Sequence, residues 1–144
     1  MKFLILSLFC TLALSSSKIS LDTHVHLESN QPAFFKEHRK IIKKYKIQHS
    51  LALSSSYLAH FYNHKTDDMS QVQYDKIIDS YVKQENNYIA KIVKSFPDDY
   101  TGMCSVPWRY HKAIQELERC IKLGLKGIKL HQFTYKNFKQ DQIF

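Results

Sequence analysis

Two histidines separated by one residue, His24 and His26, stand at the end of an apolar stretch, Lys18-Ile19-Ser20-Leu21-Asp22-Thr23-His24-Val25-His26-Leu27. The stretch reads as a strand that surfaces into the polar run Glu28-Ser29-Asn30. Strict alternation puts Ser20, Asp22, His24 and His26 on one face and Ile19, Leu21, Thr23 and Val25 on the other. Two imidazoles on one face at a strand end can hold a divalent ion. Neutral nitrogen ligands leave the ion's charge intact, so an open position can take water and lower its pKa to about 7. Two histidines suit zinc, manganese, iron or nickel. Asp22, one step deeper on the same predicted face, is expected to support His24 from behind.

A strand-end site needs a scaffold, and the rest of the chain supplies alternating elements. Pro32 suits a helix first turn, and Phe34-Phe35, Ile41-Ile42 and Tyr45 recur at helical spacing. Ile47 to Leu53 is short, apolar and followed by Ser54-Ser55-Ser56, as a strand is when it reaches a loop. Ser70 with Gln73 forms a capping box before the strongest helical pattern, from Ile77 through Phe96, with Pro97 just beyond. Tyr100 to Val106 is a third predicted strand. A helix from about Tyr110 to Leu123 is predicted to turn Ala113, Ile114, Leu117, Cys120 and Ile121 inward and to stop at Gly124. Lys126 to Leu130 is a fourth strand, with Lys129 and His131 on one face. The order strand, helix, strand, helix, strand, helix, strand predicts right-handed βαβ units and a parallel sheet.

Composition narrows the class. The 144 residues suit one domain, and 44% hydrophobic content supports a packed core. Gly 3 and Pro 3 argue against a turn-rich all-β protein. Much of the formal net charge of +8 sits in Lys36, Arg39, Lys40, Lys43, Lys44 and Lys46. Few aromatics accompany that run, so it reads as the solvated side of a helix, and no nucleic-acid partner is expected. Met1-Lys2 followed by the apolar run Phe3 to Leu14 reads as a signal peptide over residues 1–16, too short to be a stable membrane anchor. The expected mature domain covers 17–144 and is exported. Cys104 and Cys120 would then meet an oxidising compartment; whether they pair is open at this point.

Two blocks of the sequence resemble the amidohydrolase-related metal-dependent hydrolases, the group of (β/α)8 barrels that includes aminocarboxymuconate semialdehyde decarboxylase. The first is Leu21-Asp22-Thr23-His24-Val25-His26. The second runs through Phe96-Pro97-Asp98-Asp99-Tyr100-Thr101-Gly102, Val106-Pro107, Ala113 to Cys120, and Leu123-Gly124-Leu125-Lys126-Gly127-Ile128-Lys129-Leu130-His131. The resemblance implies the N-terminal half of a (β/α)8 barrel, β1-α1-β2-α2-β3-α3-β4, with chemistry at the C-terminal strand ends. It implies that His24 and His26 bind a divalent metal, most often zinc, and that a metal-activated water attacks a carbonyl or related carbon of a small-molecule substrate. Decarboxylation is the family's alternative reaction. If the Lys129 and His131 face of the fourth strand looks into the barrel, His131 lines the site, and Lys129 is a packed lysine or, carbamylated, a bridging ligand as in binuclear relatives; Trp108 and Arg109, just past the third strand, are expected in the pocket. The family's third histidine and its aspartate would fall beyond Phe144, so the expectation is a fragment or truncated product. A non-catalytic half-barrel that binds or self-associates through open sheet edges is the alternative from a different class.

Overall fold

The computed structural model describes residues 20–54, 69–107 and 110–129. Seven elements alternate within them: β1 (Leu21–His26), α1 (Pro32–Tyr45), β2 (His49–Leu53), α2 (Gln71–Ser95), β3 (Tyr100–Ser105), α3 (Ala113–Lys122) and β4 (Gly127–Lys129). All three strand pairings are parallel, and the spatial order β1-β2-β3-β4 follows the sequence. A sheet that grows in one direction through right-handed crossovers carries every connecting helix on the same face. A doubly wound sheet would instead reverse its order and take helices on both faces. The arrangement is therefore that of half a (β/α)8 barrel, with helices outside and the other sheet face as the lumen side.

Local chemistry sets the element ends. Ser70 and Gln73 close the capping box at the start of α2, each satisfying the other's backbone N–H. Pro32 occupies the first turn of α1, and Lys46 ends that helix in the left-handed region with φ 54° while its N–H donates to the Ile42 carbonyl. Gly124 follows α3 at φ +89°, a conformation that a side chain would strain. Ile78, Val82, Ile89 and Ile92 of α2 then pack on Val25, Ala52, Tyr100 and Cys104 of the sheet. Each such aliphatic side chain contributes about 1.5–3 kcal/mol by leaving water. At Gly102 the approach is so close that an added Cβ would lie 2.8 Å from Val93 and 2.9 Å from Ile89.

Cys104 on β3 and Cys120 on α3 form a disulfide, which settles the pairing the sequence left open. It closes a separation of 16 residues, for which loop-closure entropy gives about 3 kcal/mol. It also fixes the rotation of α3, where the predicted apolar face requires correction. Glu116 and Cys120 are buried, whereas Ile114 and Ile121 are 66% and 72% exposed. The side of α3 toward the sheet is chosen by the disulfide and by the buried Glu116 hydrogen bonds rather than by the largest apolar side chains.

A second correction concerns β1. Leu21 and Asp22 pair with His49 and Ser50, and Val25 and His26 pair with Ala52 and Leu53, so two residues of β1 oppose one of β2 between them. This β-bulge shifts the alternation by one. Asp22 consequently turns to the helix layer, where its Oδ2 lies 2.9 Å from Nε2 of the buried His38 on α1. Val25 and Leu27 also face the helices, while His24 and His26 face the lumen side. Asp22 and His24 do not share a face as strict alternation predicts.

Candidate metal centre

β1 delivers His24 and His26 to the lumen side at its C-terminal end, the end where barrels of this kind place their chemistry. Their Nε2 atoms are 2.6 Å apart and their ring centroids 4.6 Å apart. Two ring nitrogens this close converge on one point and can share a proton there. Tetrahedral coordination with metal–nitrogen bonds of about 2.0–2.1 Å needs the nitrogens about 3.3 Å apart. A small rotation of either ring provides that separation, so the pair fits a divalent ion.

The other ring nitrogens are engaged as well. Lys129 Nζ, on β4, lies 3.5 Å from His24 Nδ1. His26 Nδ1 lies 3.8 Å from Glu28 Oε1. One set of tautomers satisfies all three contacts: the Lys129 ammonium donates to His24 Nδ1, His24 Nε2–H points to His26 Nε2, and His26 Nδ1–H points to Glu28. A carboxylate behind the ligating histidine is the usual support of a metal ligand. Lys129 opposes that role at His24, because its ammonium favours the tautomer whose Nε2 carries the proton.

Side chains from the two outer strands of the described sheet meet on the lumen side. Strands lie about 4.8 Å apart, so β1 and β4 are separated by roughly 14 Å along a flat sheet. The long Lys129 side chain crosses most of that distance to reach His24. Ser105 pairs with Lys129 and Leu53 with His26, which puts all four positions on the lumen side.

Behind the pair lies a polar assembly that the sequence reading does not single out. Ser54 Oγ is 2.7 Å from Glu28 Oε2 and 2.9 Å from Glu85 Oε2. Glu85, buried at 2% exposure, also accepts from the Ser29 N–H and hydroxyl, and Gln84 donates to Ser29. One residue further on, Asn86 Nδ2 donates to the Ser105 carbonyl and to Glu116 Oε1, and its Oδ1 accepts from the Ser105 N–H. Arg119 closes the network on Glu116, whose hydrogen bonds raise the guanidinium pKa. A signal did exist in the sequence. Glu85 and Asn86 fall in the helical stripe between Val82 and Ile89, where a solvated polar residue has no place.

His38 is the second omission. Its buried ring bridges Asp22 Oδ2 and the Tyr100 hydroxyl, each at 2.9 Å, between α1 and the sheet. Burial pushes the Tyr100 phenol up to about 12, so it stays protonated as a hydrogen-bonding post. Its position three residues after Phe35 and four before Ile42 placed it on the inner side of α1. Asp22 also accepts from the His24 backbone N–H at 3.2 Å, so it braces the bulge rather than the His24 ring.

Of the other predicted site residues, Lys129 is brought to the pair, and Trp108, Arg109 and His131 lie outside the described residues. The signal-peptide segment 1–16 and His60 and His64 also lie outside them. His49 bonds the Asp98 carbonyl and Thr101, and His111 pairs with Asp75, each away from the histidine pair. In the basic run on α1, Arg39 stacks 4.0 Å over Phe96 and pairs with Asp99, and Lys40 pairs with Glu37. Among the described residues no three His, Cys, Asp or Glu side chains are grouped to hold a metal, and no helix is long and apolar enough to cross a membrane. No protein-family model matches the chain, and no curated protein matches it.

Proposed function

We propose that this chain carries the first-strand part of a divalent metal site, with His24 and His26 as ligands, in a metal-dependent hydrolase of the amidohydrolase-related kind. The observation that carries the reading is the convergence of the two Nε2 atoms, 2.6 Å apart, at the C-terminal end of β1 on the face of a parallel sheet turned away from the helices. When bound, the ion, most simply zinc, supplies a Lewis acid and a nucleophilic water at neutral pH for attack on a carbonyl or related carbon.

The chain's own residues supply position. The Glu28 carboxylate, 3.8 Å from His26 Nδ1, favours the tautomer with its proton on that nitrogen and a lone pair on Nε2 for the metal. The Ser54 hydroxyl lies within hydrogen-bond distance of Glu28 on the buried side. Lys129 sits at the rim of the site, where its ammonium can receive a negatively charged or carbonyl oxygen of a small-molecule substrate once it leaves His24. Signal-directed export and a fuller barrel supplying further ligands belong to the same proposal.

Equilibrium dialysis with zinc tests it. Wild-type chain is expected to retain zinc, and His24→Ala and His26→Ala each to lower affinity by about 100-fold or more, as loss of a direct ligand does. Unchanged zinc binding in both variants would sink the assignment. Hydrolysis of an activated ester or amide that survives exhaustive chelation would sink the reaction class.

A further inference from the structure

We infer that His111, oriented by the Asp75 carboxylate, is a nucleophilic imidazole that takes up α,β-unsaturated carbonyl compounds at Nε2, independently of the His24–His26 pair.

Asp75 stands near the start of α2, and His111 lies in the connection between β3 and α3. The carboxyl is 9% exposed, and both of its oxygens meet the same residue. Oδ2 lies 2.5 Å from His111 Nδ1, and Oδ1 accepts from the His111 backbone N–H at 3.3 Å and from Gln71 Nε2 at 3.0 Å. Burial raises the Asp75 carboxyl, yet hydrogen bonds from Gln71 and His111 and the nearby His111 charge bring it below its ordinary value. It is therefore a carboxylate at neutral pH. Against it the neutral ring carries its proton on Nδ1, which leaves the Nε2 lone pair on the far edge. Tyr110 packs edge-on against the ring, centroids 5.9 Å apart, and supports its plane. With 53% of the His111 side chain exposed, the edge opposite Asp75 meets solvent.

The other described histidines are placed differently. His38 and His49 have both ring nitrogens within hydrogen-bond distance of neighbours, and the Nε2 atoms of His24 and His26 face each other. Competing nucleophiles are weakened as well. Cys104 and Cys120 are joined in a disulfide, and a lysine ammonium has no lone pair at neutral pH.

A neutral ring nitrogen adds directly to an activated carbon. The Nε2–C bond forms at the β-carbon, and the carbon–carbon π bond breaks. The resulting enolate carbon takes one proton from water. The ring, now an imidazolium, keeps its Nδ1 proton against Asp75, which stabilises the new positive charge. The step has no leaving group and needs no oxidant or reductant.

The full chain, with its Cys104–Cys120 bond formed, is incubated with but-3-en-2-one at neutral pH, and adducts are located over time by peptide mass mapping. The His111 adduct is expected to form about tenfold faster, or more, than the His49 adduct. Asp75→Asn keeps the size of the side chain. Its oxygen must stay opposite the His111 backbone N–H, so its amide N–H turns to Nδ1 and favours the tautomer whose Nε2 carries the proton. The His111 rate should then fall about tenfold, with the His49 rate unchanged. Circular dichroism checks that the variant folds, and if it does not, the ratio of the His111 and His49 rates in the wild-type chain decides alone. Equal rates at His111 and His49, or a His111 rate unmoved in folded Asp75→Asn, overturns the inference.

Discussion

Two polar clusters lie within a few residues of each other at the same end of the sheet, and they are built oppositely. Under α2, Glu85, Asn86, Ser105 and Glu116 are all at most 3% exposed, and each meets donors or acceptors on neighbouring elements. Among the described residues the one buried side-chain N or O atom without a partner is Ser50 Oγ, at the other end of the strands. On the lumen side, His24 is exposed, and His24 and His26 turn nitrogens toward each other. The first cluster has its partners in place and behaves as framework. The second turns a convergent pair of ring nitrogens toward an exposed face. Polar side chains alone do not distinguish the two; burial and complementarity do.

Breaking the framework should have the largest effect. Asn86→Leu takes its hydrogen bonds from the Ser105 N–H and carbonyl, while Glu116 Oε1 keeps its Arg119 donor. At about 1–3 kcal/mol for each of the two Ser105 groups, a loss of about 2–5 kcal/mol in urea unfolding is expected. His24→Ala, by contrast, should change stability by less than about 0.5 kcal/mol. Equal losses in the two variants would erase the distinction between framework and site.

A smaller effect sharpens the ligand side. Lys129→Met removes the ammonium that favours the wrong tautomer of His24, so zinc affinity should rise about tenfold, equivalent to about 1.4 kcal/mol. A fall in affinity would make Lys129 a ligand instead, in its carbamylated form. The smallest effect lies at the rim of the framework, where hydrogen bonds from Lys83 and Tyr110 lower the Asp79 carboxyl from 3.8 to about 2. Because the folded value is the lower one, its stabilisation is present above pH 4 and is lost as pH falls from about 4 through about 2. Asp79→Asn should cost about 1 kcal/mol at neutral pH, after allowance for solvent screening, and should flatten the acid limb of the unfolding profile.

Much of the scaffold was legible in the sequence because period and punctuation carry it. The capping box at Ser70, Pro97 after α2 and Gly124 after α3 each set an element end through a local backbone requirement. The histidine pair was legible for the same reason: a spacing of two on a strand needs only local geometry. What escaped depends on partners distant in the chain. Asn86 is explained by Ser105 and Glu116, His38 by Asp22 and Tyr100, and the rotation of α3 by Cys104. The bulge escaped because Thr23 and His24 are both exposed, so neither leaves a break in the hydrophobic pattern.

That bulge makes β1 a strand with a change of phase inside it. Between Asp22 and Val25 the chain carries one residue more than β2 can match, and the surplus lets an aspartate on the helix side and a histidine on the lumen side stand two positions apart. Thr23 is therefore a spacer in the literal sense. Deleting it would restore even pairing and leave Asp22, His24, Val25 and His26 on the faces they now occupy, whereas deleting Val25 would turn His24 toward the helices. In a lineage of such strands, the length between the aspartate and the first histidine is free to lose this one residue, and the distance between the two histidines is not.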